Sequence, residues 1–222
     1  MMKRLGFSAL MLMLLFLTGC ATLPSGRTTS SAAPQGPRQP RTTLASDLSI
    51  GYTIHGQQGS VNAMVMSDGH SQTRLVVLSP LGGTYLELIK RGDKVVVSYP
   101  SRSVSYQGTV TKGGAVATLA SLVEWALSQE LQPTLEGETR VFIEGHLRAK
   151  VLPGGQQVSY EQHELIGQVD IARSIVLSLP DGSRFALELR EPQLNEPLPA
   201  DAFASSQSGL PVVPLDTLER IL

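Results

Sequence analysis

The sequence predicts a mainly β (α+β) fold: one large, curled antiparallel sheet with a single inserted helix. Three observations carry that reading. Between Leu48 and Arg190, short apolar stretches alternate with polar residues at a period of two and are separated by turn residues, as strands require. The gaps between them are a few residues long, whereas parallel neighbours need crossovers of a dozen or more, so the pairing is antiparallel. One stretch alone, Ala115 to Leu131, changes to helical spacing through Val116, Leu119, Ala120, Val123 and Leu127. A helix with an apolar face must lie on something, and the sheet is the surface on offer.

Taken in order, the chain opens with Lys3 and Arg4, an apolar run from Ala9 to Leu17 and the tetrapeptide Leu17-Thr18-Gly19-Cys20. A basic start, an apolar segment too short for the roughly 20 residues of a membrane span, and small residues before a cysteine make a secretory signal. Residues 1–19 are read as that signal. Residues 20–45 are rich in Ser, Thr, Pro, Gly and Arg, with almost nothing to bury, and read as a disordered tether. The folded domain is expected over residues 46–213, with a short amphipathic end over residues 214–222 carried by Leu215, Leu218, Ile221 and Leu222.

Within the domain, strands are expected at Leu48–His55, Ser60–Met66, Thr73–Ser79, Thr84–Lys90, Lys94–Tyr99 and Ser103–Thr109. After the helix they resume over Arg140–Val151, Gln157–Gln162, Leu165–Ile171, Ser174–Leu179 and Arg184–Arg190. Pro180-Asp181-Gly182 marks a hairpin between the last two. Beyond Pro192 the chain reads as loop. So many strands in one open sheet tend to curl. A curled sheet with an apolar concave face under a helix is a cup for hydrocarbon chains.

Composition narrows the function. Lys3, Arg4, Arg27, Arg38 and Arg41 are five of the 18 basic residues, and no acidic residue stands among them, so 13 basic residues face all 19 acidic ones from Ser46 onward. An acidic domain is a poor partner for nucleic acid, which needs clustered Lys and Arg. Cys20 is the only cysteine, so no disulfide, cysteine-based metal site or thiol nucleophile is available to the domain. His163-Glu164-Leu165-Ile166-Gly167 starts like a zinc-protease helix but lacks the second histidine. His55, His70, His146 and His163 are scattered, without metal spacing, and read as surface or structural residues. Gly-x-Ser-x-Gly, the phosphate-binding loop and Gly-x-Gly-x-x-Gly are absent. No catalysis, metal or cofactor is expected.

Two resemblances follow. Leu17-Thr18-Gly19-Cys20 resembles the bacterial lipobox, which implies diacylglyceryl and N-acyl groups on Cys20 and a mature chain beginning there. Ala21 is not the Asp that tends to retain lipoproteins at the inner membrane, which implies an outer-membrane, periplasm-facing destination. Arg74-Leu75-Val76-Val77-Leu78-Ser79-Pro80-Leu81-Gly82-Gly83-Thr84-Tyr85-Leu86-Glu87-Leu88 resembles the LolB family, outer-membrane receptors that accept lipoproteins from the carrier LolA. Tyr106-Gln107-Gly108, the helix with Leu122 and Trp125, and Asn195-Glu196-Pro197-Leu198-Pro199-Ala200-Asp201-Ala202-Phe203 fit the wider LolA/LolB-like group.

The resemblance implies an unclosed half-barrel with a helical lid over an apolar cavity. Its expected ligands are the acyl chains of lipoproteins or a similar amphiphile, with a LolA-like carrier and the membrane as partners and a monomeric receptor. An anchored scaffold or envelope-sensing module of the same fold is the alternative. The residues expected to meet cargo are Arg74, Leu75, Val77, Leu86, Leu88 and Trp125, with Met64 and Met66 as adaptable apolar lining. Arg74 reads equally as a solvated strand-end residue. LolB-type receptors carry an apolar residue at a protruding loop tip; the hairpin tip matched to it here, Asp68-Gly69-His70-Ser71-Gln72, is polar.

Overall fold

The structure, a computed structural model, describes residues 43–69, 71–110, 115–129, 136–207 and 209–221. The signal, Cys20, most of the tether and His70 lie outside the described residues.

Among the described residues, twelve strands form one sheet. They are β1 (Leu44–Ile54), β2 (Gln57–Ser67), β3 (Gln72–Leu78), β4 (Thr84–Arg91), β5 (Lys94–Tyr99), β6 (Val104–Thr109), β7 (Thr139–Ile143), β8 (His146–Val151), β9 (Gln157–Ile166), β10 (Val169–Ser178), β11 (Arg184–Leu194) and β12 (Val212–Pro214). Helix α1 (Ala115–Ser128) follows β6, and α2 (Leu215–Ile221) ends the chain. The strand order is β12-β6-β5-β4-β3-β2-β1-β11-β10-β9-β8-β7, so the sheet never closes on itself. Among the described residues, no helix is long and apolar enough to cross a membrane.

Local chemistry sets the turns. His55 and Gly56 between β1 and β2, and Glu144 and Gly145 between β7 and β8, all have positive φ (48°, 78°, 53° and 82°). Two such residues in succession suit the right-handed twist of the strands they join. Alternation then sorts the faces. Leu48, Ile50, Ala63, Val65, Leu75, Leu88, Val95, Val97, Leu187 and Leu189 are buried in one core, which α1 covers with Val116, Ala120, Leu122, Trp125 and Leu127. Leu215 and Leu218 of α2 join the same core, Leu215 against Gly108, where an added Cβ would lie 2.6 Å from the Leu215 Cβ.

The structure departs from the sequence reading at four places. The first strand begins at Leu44, inside the stretch read as tether. The three strands expected at Gln157–Gln162, Leu165–Ile171 and Ser174–Leu179 are instead two, β9 and β10, which turn around Gly167 at φ 63°. The polar run Glu161-Gln162-His163-Glu164 looks like a break, but it is the exposed half of a long strand. β11 continues through Pro192, because Glu191 (φ 49°) and Pro192 sit in a bulge opposite Ser46, where no ladder donor is needed. Beyond Asn195 the chain crosses the convex face and returns as β12, parallel to β6, the one pairing that is not antiparallel.

Candidate functional site

An apolar cavity of about 90 Å³ lies between the concave face and α1. Its walls are Leu75 and Val77 of β3, Leu86 and Leu88 of β4, Ile50 and Tyr52 of β1, Val61 of β2, Val97 and Tyr99 of β5, Leu177 of β10, and Phe185 and Leu187 of β11; Val116, Leu119 and Val123 of α1 form the roof. Among the described residues, no charged side chain lines it. The tyrosines keep it so: burial pushes the Tyr99 hydroxyl up to about 12, with Tyr85 adding to the rise and Arg102 opposing it. Tyr85 is raised as well, mainly by burial. Tyr99 is further fixed edge-to-face against Tyr106, with centroids 6.1 Å apart.

The roof is tied down at one end. Lys90 of β4 pairs with Glu124 at 2.6 Å. The Trp125 indole donates to Glu138 (3.0 Å), and Tyr160 donates to the Ala126 carbonyl (3.0 Å). Fully buried Lys150 donates to the Trp125 carbonyl (3.3 Å) and Ser128 Oγ (3.1 Å), placing its cationic end at the negative end of the helix. Gln129 exchanges two hydrogen bonds with the Ala172 backbone. All of these hold Glu124 to Gln129. Val116, Leu119 and Val123 meet the sheet through apolar side chains.

Of the residues expected to meet cargo, Leu75, Val77, Leu86 and Leu88 line the cavity. The other four do not. Met64 is 41% exposed and Met66 half-buried, both on the convex face beside Asp47 and Arg190, because Ala63 and Val65 take the inward positions of β2. Trp125 is buried as an anchor of the roof, hydrogen-bonded to Glu138 and with Lys150 Nζ 5.8 Å from its ring centre.

Arg74 is neither at the cavity mouth nor a solvated strand end. On the convex face it donates to Glu87 Oε1 through Nε (3.0 Å) and Nη2 (2.6 Å), and to the Ala202 carbonyl through Nη1 (3.0 Å). Ser205 and Ser206 also donate to Glu87, and Arg91 to the Phe203 carbonyl. Residues 201–207 thus form a strap clasped to β3 and β4. Burial alone would raise the Glu87 carboxyl; the bonds from Ser205, Arg74 and Ser206 outweigh it and hold the group below its ordinary range.

Sequence reasoning missed Tyr52, Tyr99 and the β10–β11 wall. The inward alternation of Phe185 and Leu187 carried the signal, but nothing local says that β11 lies beside β1. Asp68 of the β2–β3 hairpin is polar as expected, and caps that turn by accepting from the Ser71 and Gln72 amides. An apolar tip exists elsewhere: Leu81, in the turn joining β3 to β4, is 99% exposed. The histidines are not all scattered either. His146 and His163 converge with Asp170, their ligand atoms within 4.8 Å of one another.

No family model and no curated protein matches the sequence. Solved structures do match in shape. A LolA superfamily protein from Nitrosomonas europaea, 13% identical, covers 76% of this chain and 92% of its own with a TM-score of 0.49. A domain named for outer membrane lipoprotein sorting, from Vibrio parahaemolyticus, is 7% identical over 73% of this chain and 89% of its own, with a TM-score of 0.52. The chain has the LolA/LolB-like fold. At such identity the likeness is one of backbone, so what a LolA/LolB-like cup holds in this protein must be argued from its own lining.

Proposed function

We propose that this chain is a lipid-anchored outer-membrane lipoprotein, a binding protein without catalysis, that takes acyl chains of lipoproteins or a similar amphiphile into its cavity and assists their delivery to the outer membrane. The observation that carries the reading is the uncharged cavity between the concave sheet and α1. Its resting volume, about 90 Å³, is below the ~150 Å³ that admits a benzene-sized molecule. Cargo therefore enters by lifting the roof. Exposing Val116, Leu119 and Val123 costs roughly 1.5–3 kcal/mol each, and each buried methylene returns about 0.8 kcal/mol. A chain of roughly ten methylenes offsets that cost, which favours long-chain amphiphiles over small apolar solutes.

Cys20 acylation holds the domain near the bilayer, since two or three chains anchor durably where one does not. Leu81 supports the delivery step, its burial in lipid being worth about 1.5–3 kcal/mol, enough for a transient contact. A LolA-like carrier is the partner this scheme calls for, acting on a monomeric receptor.

The test is titration of the domain spanning residues 43–222 with a fluorescent long-chain acyl probe. Saturable binding that Leu119→Arg abolishes is expected. A folded domain without saturable binding overturns the proposal. That result is the one predicted by the second reading, a scaffold or envelope-sensing module whose small cavity is filled by its own side chains and which binds a protein partner.

A further inference from the structure

Outside the cavity, three strands bring together a set of side chains that the cup does not use. His146 begins β8, His163 lies on β9 and Asp170 on β10. His146 Nδ1 is 2.8 Å and His163 Nδ1 3.0 Å from the same oxygen, Asp170 Oδ2. The two rings stand 4.8 Å apart, tilted by 50°.

We propose that His146, His163 and Asp170 form a binding site for a divalent first-row transition cation of the zinc class. Two imidazoles and one carboxylate are the donor set such borderline cations prefer, and three protein ligands leave a further position for water or an exogenous group. The ligand atoms all lie within 4.8 Å of one another, so small side-chain adjustments bring them around one ion.

Two features separate the cluster from an ordinary surface ion pair. The His163 side chain is only 8% exposed, and its Nε2 is buried with no hydrogen-bond partner. No partner on that side holds Nε2 as an acceptor, so Nε2 can carry the ring proton while the lone pair of Nδ1 is free to ligate a metal, as ligation requires. The guanidinium of Arg173, three residues from Asp170 on β10, is directed to the Leu189 carbonyl and Glu164 rather than to Asp170. His146 and Asp170 remain partly open, at 41% and 26% side-chain exposure, which gives an ion a route in. The backbone beside the cluster is irregular as well: Gln162, next to His163, has φ 54°.

The experiment uses the full chain in detergent with Cys20→Ser, so that its one thiol cannot compete, and Zn²⁺ is titrated against a chromogenic chelator. One equivalent is expected to bind with Kd below about 100 µM and to raise Tm, because a ligand that binds only the folded state stabilises it. His146→Ala and Asp170→Asn each weaken binding at least about tenfold, as loss of a ligand should where even supporting residues cost 10–100-fold. His55→Ala, at the β1–β2 turn, leaves it unchanged. Absence of saturable binding below that concentration, or a smaller loss in either cluster variant, overturns the proposal.

Discussion

Arg74 shows how far one side chain's role depends on the face it occupies. Because it shares Glu87 with a strap of chain more than a hundred residues away, Arg74→Leu leaves a carboxylate buried without its cation, a change that typically costs about 3–5 kcal/mol. Chemical denaturation should register that loss, while acyl-probe affinity of the folded fraction stays unchanged; a selective fall in affinity would return Arg74 to the cavity. Glu87 adds a pH dependence of definite sign. Its folded pKa is depressed, so its stabilisation is complete above the unfolded value near 4.3 and is lost as pH falls through the lower folded value. Unfolding measured between about pH 5 and 3 should lose stability in the parent, and Glu87→Gln should flatten that decline while lowering stability at neutral pH.

Part of this was legible beforehand. The alternation Leu86-Glu87-Leu88 puts Glu87 on the convex face, and Leu75 and Val77 opposite Arg74 do the same for the arginine. Its burial was not, because Ser205 and Ser206 arrive from the far end of the chain. For Met64 and Met66 the parity was ambiguous, since both faces of β2 are apolar over Ala63 to Met66 and period two then carries no sign.

At the level of elements, α1 is a roof tied to the sheet at its C-terminal end by the bonds of Glu124 to Gln129. Lys90 and Glu124 are both largely shielded, at 10% and 13% side-chain exposure, and link roof to wall directly. Lys90→Met should speed acyl-probe uptake several-fold in stopped-flow measurements and lower amide protection over Glu124 to Gln129, at the low-stability end where lids belong. Unchanged rates would mean that the roof opens elsewhere. The helix was readable from its 3.6-residue spacing, and most of the described strands from alternation. The β9–β10 turn was not, since an exposed strand end carries the same polar residues as a loop. β12 was hidden because three residues hold too little pattern, and its parallel pairing follows from the strap.

For the whole molecule, the proposed lipid anchor and the cup make one prediction together. Cys20→Ser should remove the protein from the outer-membrane fraction while leaving probe binding by the purified domain intact. Continued outer-membrane fractionation would refute the anchor without touching the cavity.

The strand order also has a temporal meaning. β1, the first strand made, lies mid-sheet between β2 and β11, paired to β11 from Leu44 with Leu194 through Thr53 with Arg184. Its second edge stays bare until residue 194 exists, and contacts that distant in sequence form slowly. A chain made from its N-terminus therefore cannot complete its sheet partway through. Its core is complete only when nearly all of the chain has been made.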